Sequence, residues 1–180
     1  MRREIFVPSV IALIILGGFL FEKLQPPLEV HTITILSSGG INTGDNATDF
    51  ILESLNGTDI RLDAFIGKKS VILDFWSADY DDSKNELKAL QTVRNFYGDR
   101  VEILGIVGDA NISKVRRFVK DLGIDFPILL DPNGEVKHVY DVSVQPTAYF
   151  VDTSGVIADK KEGLLTEQEL NEKVKNLIRP

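Results

Sequence analysis

A chain of 180 residues has room for one domain of ordinary size and an additional segment. The formal net charge of −7 falls wholly on residues 44–180, because Arg2, Arg3 and Lys23 balance Glu4, Glu22 and Glu29 before them. So acidic a domain lacks the concentrated basic face that phosphate backbones require, and nucleic acid is excluded as an expected partner. Cysteine is absent, which excludes disulfides, thiolate metal ligands and every cysteine nucleophile within the chain.

The stretch Ile5 to Phe21 (IFVPSVIALIILGGFLF) carries no charge over 17 residues. As a helix it would span roughly 25 Å, near the lower limit for a bilayer core. Arg2 and Arg3 precede it, and basic residues prefer the cytoplasmic side, so the C-terminal part is expected outside. A cleaved signal peptide is the competing reading. Against it, Gly17-Gly18-Phe19-Leu20-Phe21-Glu22 offers no small-x-small cleavage site. Residues 1–22 thus read as a cytoplasmic tip and transmembrane anchor, giving a single-pass membrane protein with an extracytoplasmic domain. Residues 23–44 read as a stalk. Pro26-Pro27 stiffens it, Val30 to Leu36 alternates like a short strand, Ser37-Ser38-Gly39-Gly40 is a flexible joint, and His31, alone there, reads as solvated.

Residues 45–180 hold the folded domain. Asp49 to Leu55 and Thr58 to Leu62 flank Asn56-Gly57, a strong hairpin turn. Gly67-Lys68-Lys69 is a turn, and Ser70 to Trp76 (SVILDFW) reads as a strand buried on both faces. Asp82 to Tyr97 predicts a helix, with Leu87, Leu90, Val93 and Phe96 recurring along it. Val101 to Val107 is a second buried strand, and Ser113 to Leu122 a helix ended by Gly123. A short strand at Phe126 to Leu130 and a short helix at Glu135 to Tyr140 follow. Thr147 to Asp152 and Gly155 to Ala158 form a hairpin around Thr153-Ser154. The last helix, Thr166 to Ile178, has Thr166 as cap and Glu169 three residues on, a capping box. Strands separated by helices imply parallel pairing, and the closing hairpin adds antiparallel strands. The expected class is α/β, with a central mixed sheet, helices on both faces and an N-terminal β-hairpin.

Three stretches then carry a family resemblance. The segment from Asp45 to Trp76 resembles the opening of membrane-anchored thioredoxin-like proteins of the TlpA/ResA type, which belong with the alkyl hydroperoxide reductase/thiol-specific antioxidant (redoxin) proteins. Phe126 to Gly134 (FPILLDPNG) resembles their FPxLLDPxG stretch. Val144 to Asp152 (VQPTAYFVD) resembles their proline-containing loop and the strand after it. The resemblance implies a thioredoxin-like fold and, by family, thiol–disulfide oxidoreductase or peroxiredoxin-like activity in redox homeostasis or envelope protein maturation.

At the active-site segment the sequence departs from that family. Where the pattern is Trp-Cys-x-x-Cys, Asp79 stands for the tryptophan, Tyr80 for the first cysteine and Ser83 for the second. Disulfide exchange needs an attacking thiolate and a resolving thiol, and peroxide reduction needs a thiolate that becomes a sulfenic acid. A phenol with a reference pKa near 10 supplies neither. No catalytic residue, cofactor or metal is therefore assigned, and His31 and His138 lie outside the motif. Asp79, Asp81 and Asp82 read as capping groups at the helix start rather than as a cation site.

The resemblance also places Asp74 where thioredoxins carry a buried carboxylate beneath the cysteine pair. A buried unpaired carboxylate is costly, so Asp74 is expected to bond Ser83 or Tyr80 or to have a raised pKa. Pro146 matches the family's cis-proline. In the family the loop edge beside it pairs with an extended substrate segment, a mode that needs no thiol. Trp76, Asp79, Tyr80, Gln145 and Pro146 are thus candidate binding residues for a polypeptide partner. The expectation is a membrane-tethered binding or scaffolding domain, leaning away from enzyme. The alternative is a redoxin-family oxidoreductase by descent, active only with cysteines supplied by a partner.

Overall fold

A computed structural model describes residues 34–35, 40–109 and 111–179. The predicted anchor, the stalk's proline pair and His31 lie outside the described residues. No helix among the described residues is long and apolar enough to cross a membrane.

Two sheets form. In the smaller, β1 (Thr34–Ile35), β2 (Phe50–Glu53) and β3 (Asp59–Arg61) pair antiparallel in that order. The β2–β3 hairpin closes at Asn56-Gly57, where Gly57 takes φ +78°, a conformation that side chains with a Cβ rarely adopt. In the larger, the order is β6-β5-β4-β7-β8. Its strands are β4 (Ser70–Trp76), β5 (Val101–Val107), β6 (Ile128–Leu130), β7 (Thr147–Val151) and β8 (Ile157–Glu162). β4, β5 and β6 run parallel; β7 and β8 add on antiparallel. The helices are α1 (Asp82–Tyr97), α2 (Ile112–Leu122), α3 (Glu135–Val139) and α4 (Glu167–Leu177). This is the thioredoxin-like α/β arrangement expected from the sequence.

β4 is the central strand, and every residue in it is buried. Side chains alternate across a strand, so Ile72 and Trp76 join one core with Leu87, Leu90 and Val93 of α1 and Leu170, Val174 and Leu177 of α4. Val71, Leu73 and Phe75 join a second core with Phe50, Leu52, Val136, Tyr140 and Tyr149. Helices therefore cover both faces, with the N-terminal hairpin packed into the second core.

Three local expectations are corrected. Phe96 is 78% exposed: it lies about two and a half turns from Leu87 at 3.6 residues per turn, which puts it on the opposite side of the helix. The buried stripe of α1 instead runs through Ser83, Glu86, Leu87, Ala89, Leu90 and Val93. The last strand extends to Glu162 rather than ending at Ala158, because its charged Asp159-Lys160-Lys161-Glu162 run sits on a sheet edge and has no apolar alternation to mark it. Finally, Asp81 occupies the N-cap of α1 without a side-chain cap bond. Its carboxylate accepts from Lys84 Nζ at 3.0 Å, and Asp79 pairs with Lys114.

Candidate functional site at the degenerate motif

The segment after β4 is built by its neighbours rather than by helix capping. Ser77 Oγ donates to Asp109 Oδ1 at 2.8 Å, and the Ala78 N–H donates to Asp109 Oδ2 at 2.7 Å. The Asp79 N–H in turn donates to Ser77 Oγ at 3.1 Å. Asp109, just past the end of β5, thus clamps the turn that presents Asp79 and Tyr80, and the Asp79–Lys114 pair ties the same turn to α2. Sequence reading missed both, because Asp109 and Lys114 lie some thirty residues away in an unmarked loop and helix.

The five candidate binding residues divide. Tyr80 is 52% exposed and Asp79 is open to solvent. Gln145 is half-buried, and Pro146 is buried behind a cis Gln145–Pro146 bond. Trp76 is fully buried, its indole stacked on Phe118 with ring centroids 5.5 Å apart. Its side chain offers nothing to a partner; only its carbonyl reaches this face, accepting from Gln145 Nε2 at 3.0 Å. Gln145 Oε1 also accepts from Lys137 Nζ at 3.3 Å. This clasp joins the end of β4 to the loop before β7. Val144, 47% exposed, stands beside it. Among the described residues four large apolar side chains are exposed, and two of them, Tyr80 and Val144, belong to these two loops.

Beneath the turn, Asp74 and Ser83 are completely buried and Glu86 is nearly so. Asp74 bonds neither Ser83 nor Tyr80: both of its oxygens lack a hydrogen-bond partner among the described residues, as do both Glu86 oxygens, Ser83 Oγ and Trp76 Nε1. The other branch of the expectation holds instead. Loss of hydration pushes the Asp74 carboxyl up to about 7. Burial, and next the Asp74 charge, push Glu86 up to about 9. The Leu165 backbone amide faces Glu86 without meeting hydrogen-bond geometry and weakly favours its charge, as does Lys161. Glu86 was missed in the sequence because a glutamate in a helix reads as solvated.

A phenol half in water, a buried hydroxyl with no base bonded to it and two protonatable carboxyls make no thiolate. Among the described residues no group of three or more His, Cys, Asp or Glu side chains is placed to hold a metal ion.

The fold defines a thioredoxin-like domain, here in a chain without cysteine. Residues 43–160 match the AhpC/TSA family, and the chain belongs to it. It is 29% identical over 181 residues to the thiol-disulfide oxidoreductase ResA of Bacillus subtilis (strain 168), covering 99% of this chain and 96% of that one. It is 32% identical over 138 residues to the thioredoxin-like protein YneN of the same organism, covering 75% and 80%. Among solved structures, a putative thiol:disulfide interchange protein DsbE from Chlorobium tepidum superposes with TM-score 0.73 over 78% of this chain and 100% of that chain, at 21% identity. StoA from Bacillus subtilis gives TM-score 0.61 at 28% identity, over 70% and 96%.

Proposed function

We propose that this chain is a membrane-tethered, extracytoplasmic thioredoxin-like domain that binds a polypeptide at the degenerate motif without thiol chemistry of its own, in the setting of envelope protein maturation. The reading rests on one observation: Tyr80 and Val144 are exposed on the two loops joined by the Gln145–Trp76 clasp, where the motif's cysteine positions hold a phenol and a hydroxyl. An exposed tyrosine supplies contact area and a polar tip at low entropic cost, which suits it to anchoring a partner chain. The uncharged stretch Ile5 to Phe21 behind Arg2 and Arg3 supports the tether.

The test is capture of partners by the full-length protein from its native membrane, alongside Tyr80→Ala and Gln145→Ala. Loss of a central anchor of about 2 kcal/mol weakens binding about 30-fold, so a partner recovered with the wild type should be lost with both variants. Phe96→Ala, which removes an exposed ring at the far end of α1, should leave recovery unchanged. Recovery of the same proteins with wild type, Tyr80→Ala and Gln145→Ala alike would overturn the reading.

A further inference from the structure

α2 is a basic helix in an acidic domain. It holds Lys114, Arg116, Arg117 and Lys120 against one acid, Asp121, while residues 44–180 as a whole carry −7. At about 100° per residue the four cations fall on one arc of the helix, opposite the buried Val115. Arg116, Arg117 and Lys120 are exposed, and none of them has an ion pair among the described residues. Elsewhere on the surface Arg61 pairs with Asp49, Lys161 with Glu169 and Lys173 with Asp159. Like charges three and four residues apart, as in Arg117/Lys120 and Arg116/Lys120, weaken a helix. Contact with water gives no reason to concentrate them; an anionic ligand does.

The arc adjoins the turn that presents Tyr80. Lys114 pairs with Asp79, and Phe118 stacks on Trp76. From Lys114 to Lys120 the strip extends about 9 Å along the helix axis, the reach of about three extended residues. Three free cations fall short of a phosphate backbone, whose binding proteins neutralise several phosphates at once. A membrane surface fits no better. Helices that lie on lipid bury an apolar face in it, whereas Val115, Phe118, Val119 and Leu122 of α2 all pack against the domain's own core. The exposed large apolar side chains among the described residues, Tyr80, Phe96, Val144 and Leu164, all lie outside α2. A short run of carboxylates matches the strip, because the guanidinium fork takes a carboxylate through two hydrogen bonds at once.

We propose that Arg116, Arg117 and Lys120 of α2 bind an acidic segment of the polypeptide that docks at Tyr80 and Val144, a few glutamate or aspartate residues lying along the helix. The proposal rests on the docking reading for the identity of that chain and on α2 for its charge. Because the rest of the domain repels an acidic chain, the strip also fixes which way the chain lies, with its carboxylates over α2 and its contact with Tyr80 at the Lys114 end.

The full-length protein in nonionic detergent should bind a labelled glutamate–serine peptide and not its lysine–serine counterpart. Exposed ion pairs are individually weak, so Arg116→Gln/Arg117→Gln/Lys120→Gln should weaken that binding about tenfold, as should raising salt from about 50 to about 300 mM. Glutamine keeps the helix propensity, and the three side chains are exposed, so the variant should fold. Lys68→Gln/Lys88→Gln/Lys175→Gln removes the same charge from exposed positions elsewhere and should change binding by less than about twofold. Partners captured from the native membrane should be lost with the α2 variant as they are with Tyr80→Ala. Equal weakening in the two triple variants, peptide binding by the α2 variant at the wild-type level, or binding to phosphatidylglycerol vesicles without binding to the peptide would each overturn the proposal. A partner lost with Tyr80→Ala but kept by the α2 variant would overturn it too, and leave the docking reading standing. Peptide binding lost in the α2 variant, with capture indifferent to Tyr80→Ala, would overturn the docking reading instead.

Discussion

A single carboxylate from outside the segment holds the turn after β4. Asp109 takes the Ser77 hydroxyl and the Ala78 N–H at once, doing from outside the segment what a capping side chain would do from within it. Hydrogen bonds to a charged group contribute more than neutral ones, and a donor stranded in a half-buried turn bears its own desolvation cost. Asp109→Ala should therefore destabilise the domain by about 2 kcal/mol in urea unfolding and raise amide exchange selectively at residues 77–79. The sequence left this contact invisible: Asp109 lies in an unremarkable Gly-Asp-Ala loop, and only the parallel pairing of β4 with β5 brings its end beside Ser77. Asn111 was similarly unassigned, yet its side chain caps α2 by accepting from the Lys114 N–H at 3.0 Å.

At the scale of elements, local chemistry and sequence pattern agree best where both are strong. The ends of β4, α1 and β5 match the sequence reading residue for residue, since continuous β-branched runs and a long apolar stripe leave little choice. The Thr166/Glu169 capping box forms as read, with the Glu169 N–H donating to Thr166 Oγ1 at 3.2 Å and the Thr166 N–H to Glu169 Oε2 at 3.0 Å. Thr166→Ala should cost about 1 kcal/mol of stability, measured by denaturant midpoint at constant slope. Bonds to Thr166 and Lys161 hold the Glu169 carboxyl down at about 2. Its contribution is thus present above the ordinary carboxylate range and is lost as pH falls through about 2, the reverse of Asp74 and Glu86, whose carboxyls burial pushes up. The poorly read element was β8, whose charged edge carries no hydrophobic period.

Across the whole molecule, the hairpin sheet is joined to the second core by aromatic contacts. Tyr140 packs edge-on against Phe50 and Tyr149, and its hydroxyl donates to the Thr48 carbonyl at 2.6 Å. The Tyr149 hydroxyl donates back to the Tyr140 carbonyl. Burial raises the Tyr140 phenol above its ordinary range, so it remains a donor throughout the accessible pH range. Tyr140→Phe should leave the buried Thr48 carbonyl short of a donor and cost about 1–2 kcal/mol. The loss should appear as faster exchange in β2 rather than in α1, because β2 and α1 belong to different cores.

The sequence by itself determined the fold class, the hairpin at Asn56-Gly57, the central strand and the absence of a cysteine thiol in the chain. Each depends on residue type or on short-range periodicity, which the chain displays in order. The tertiary structure alone decided that Trp76 is sealed inside while Tyr80 stays outside, that Asp109 clamps the turn, and that Glu86 is buried on its helix instead of solvated. Those relations join residues from different elements. Asp74, for one, has Gly105 and Ala148 as its neighbours only because the sheet order brings β5 and β7 to either side of β4.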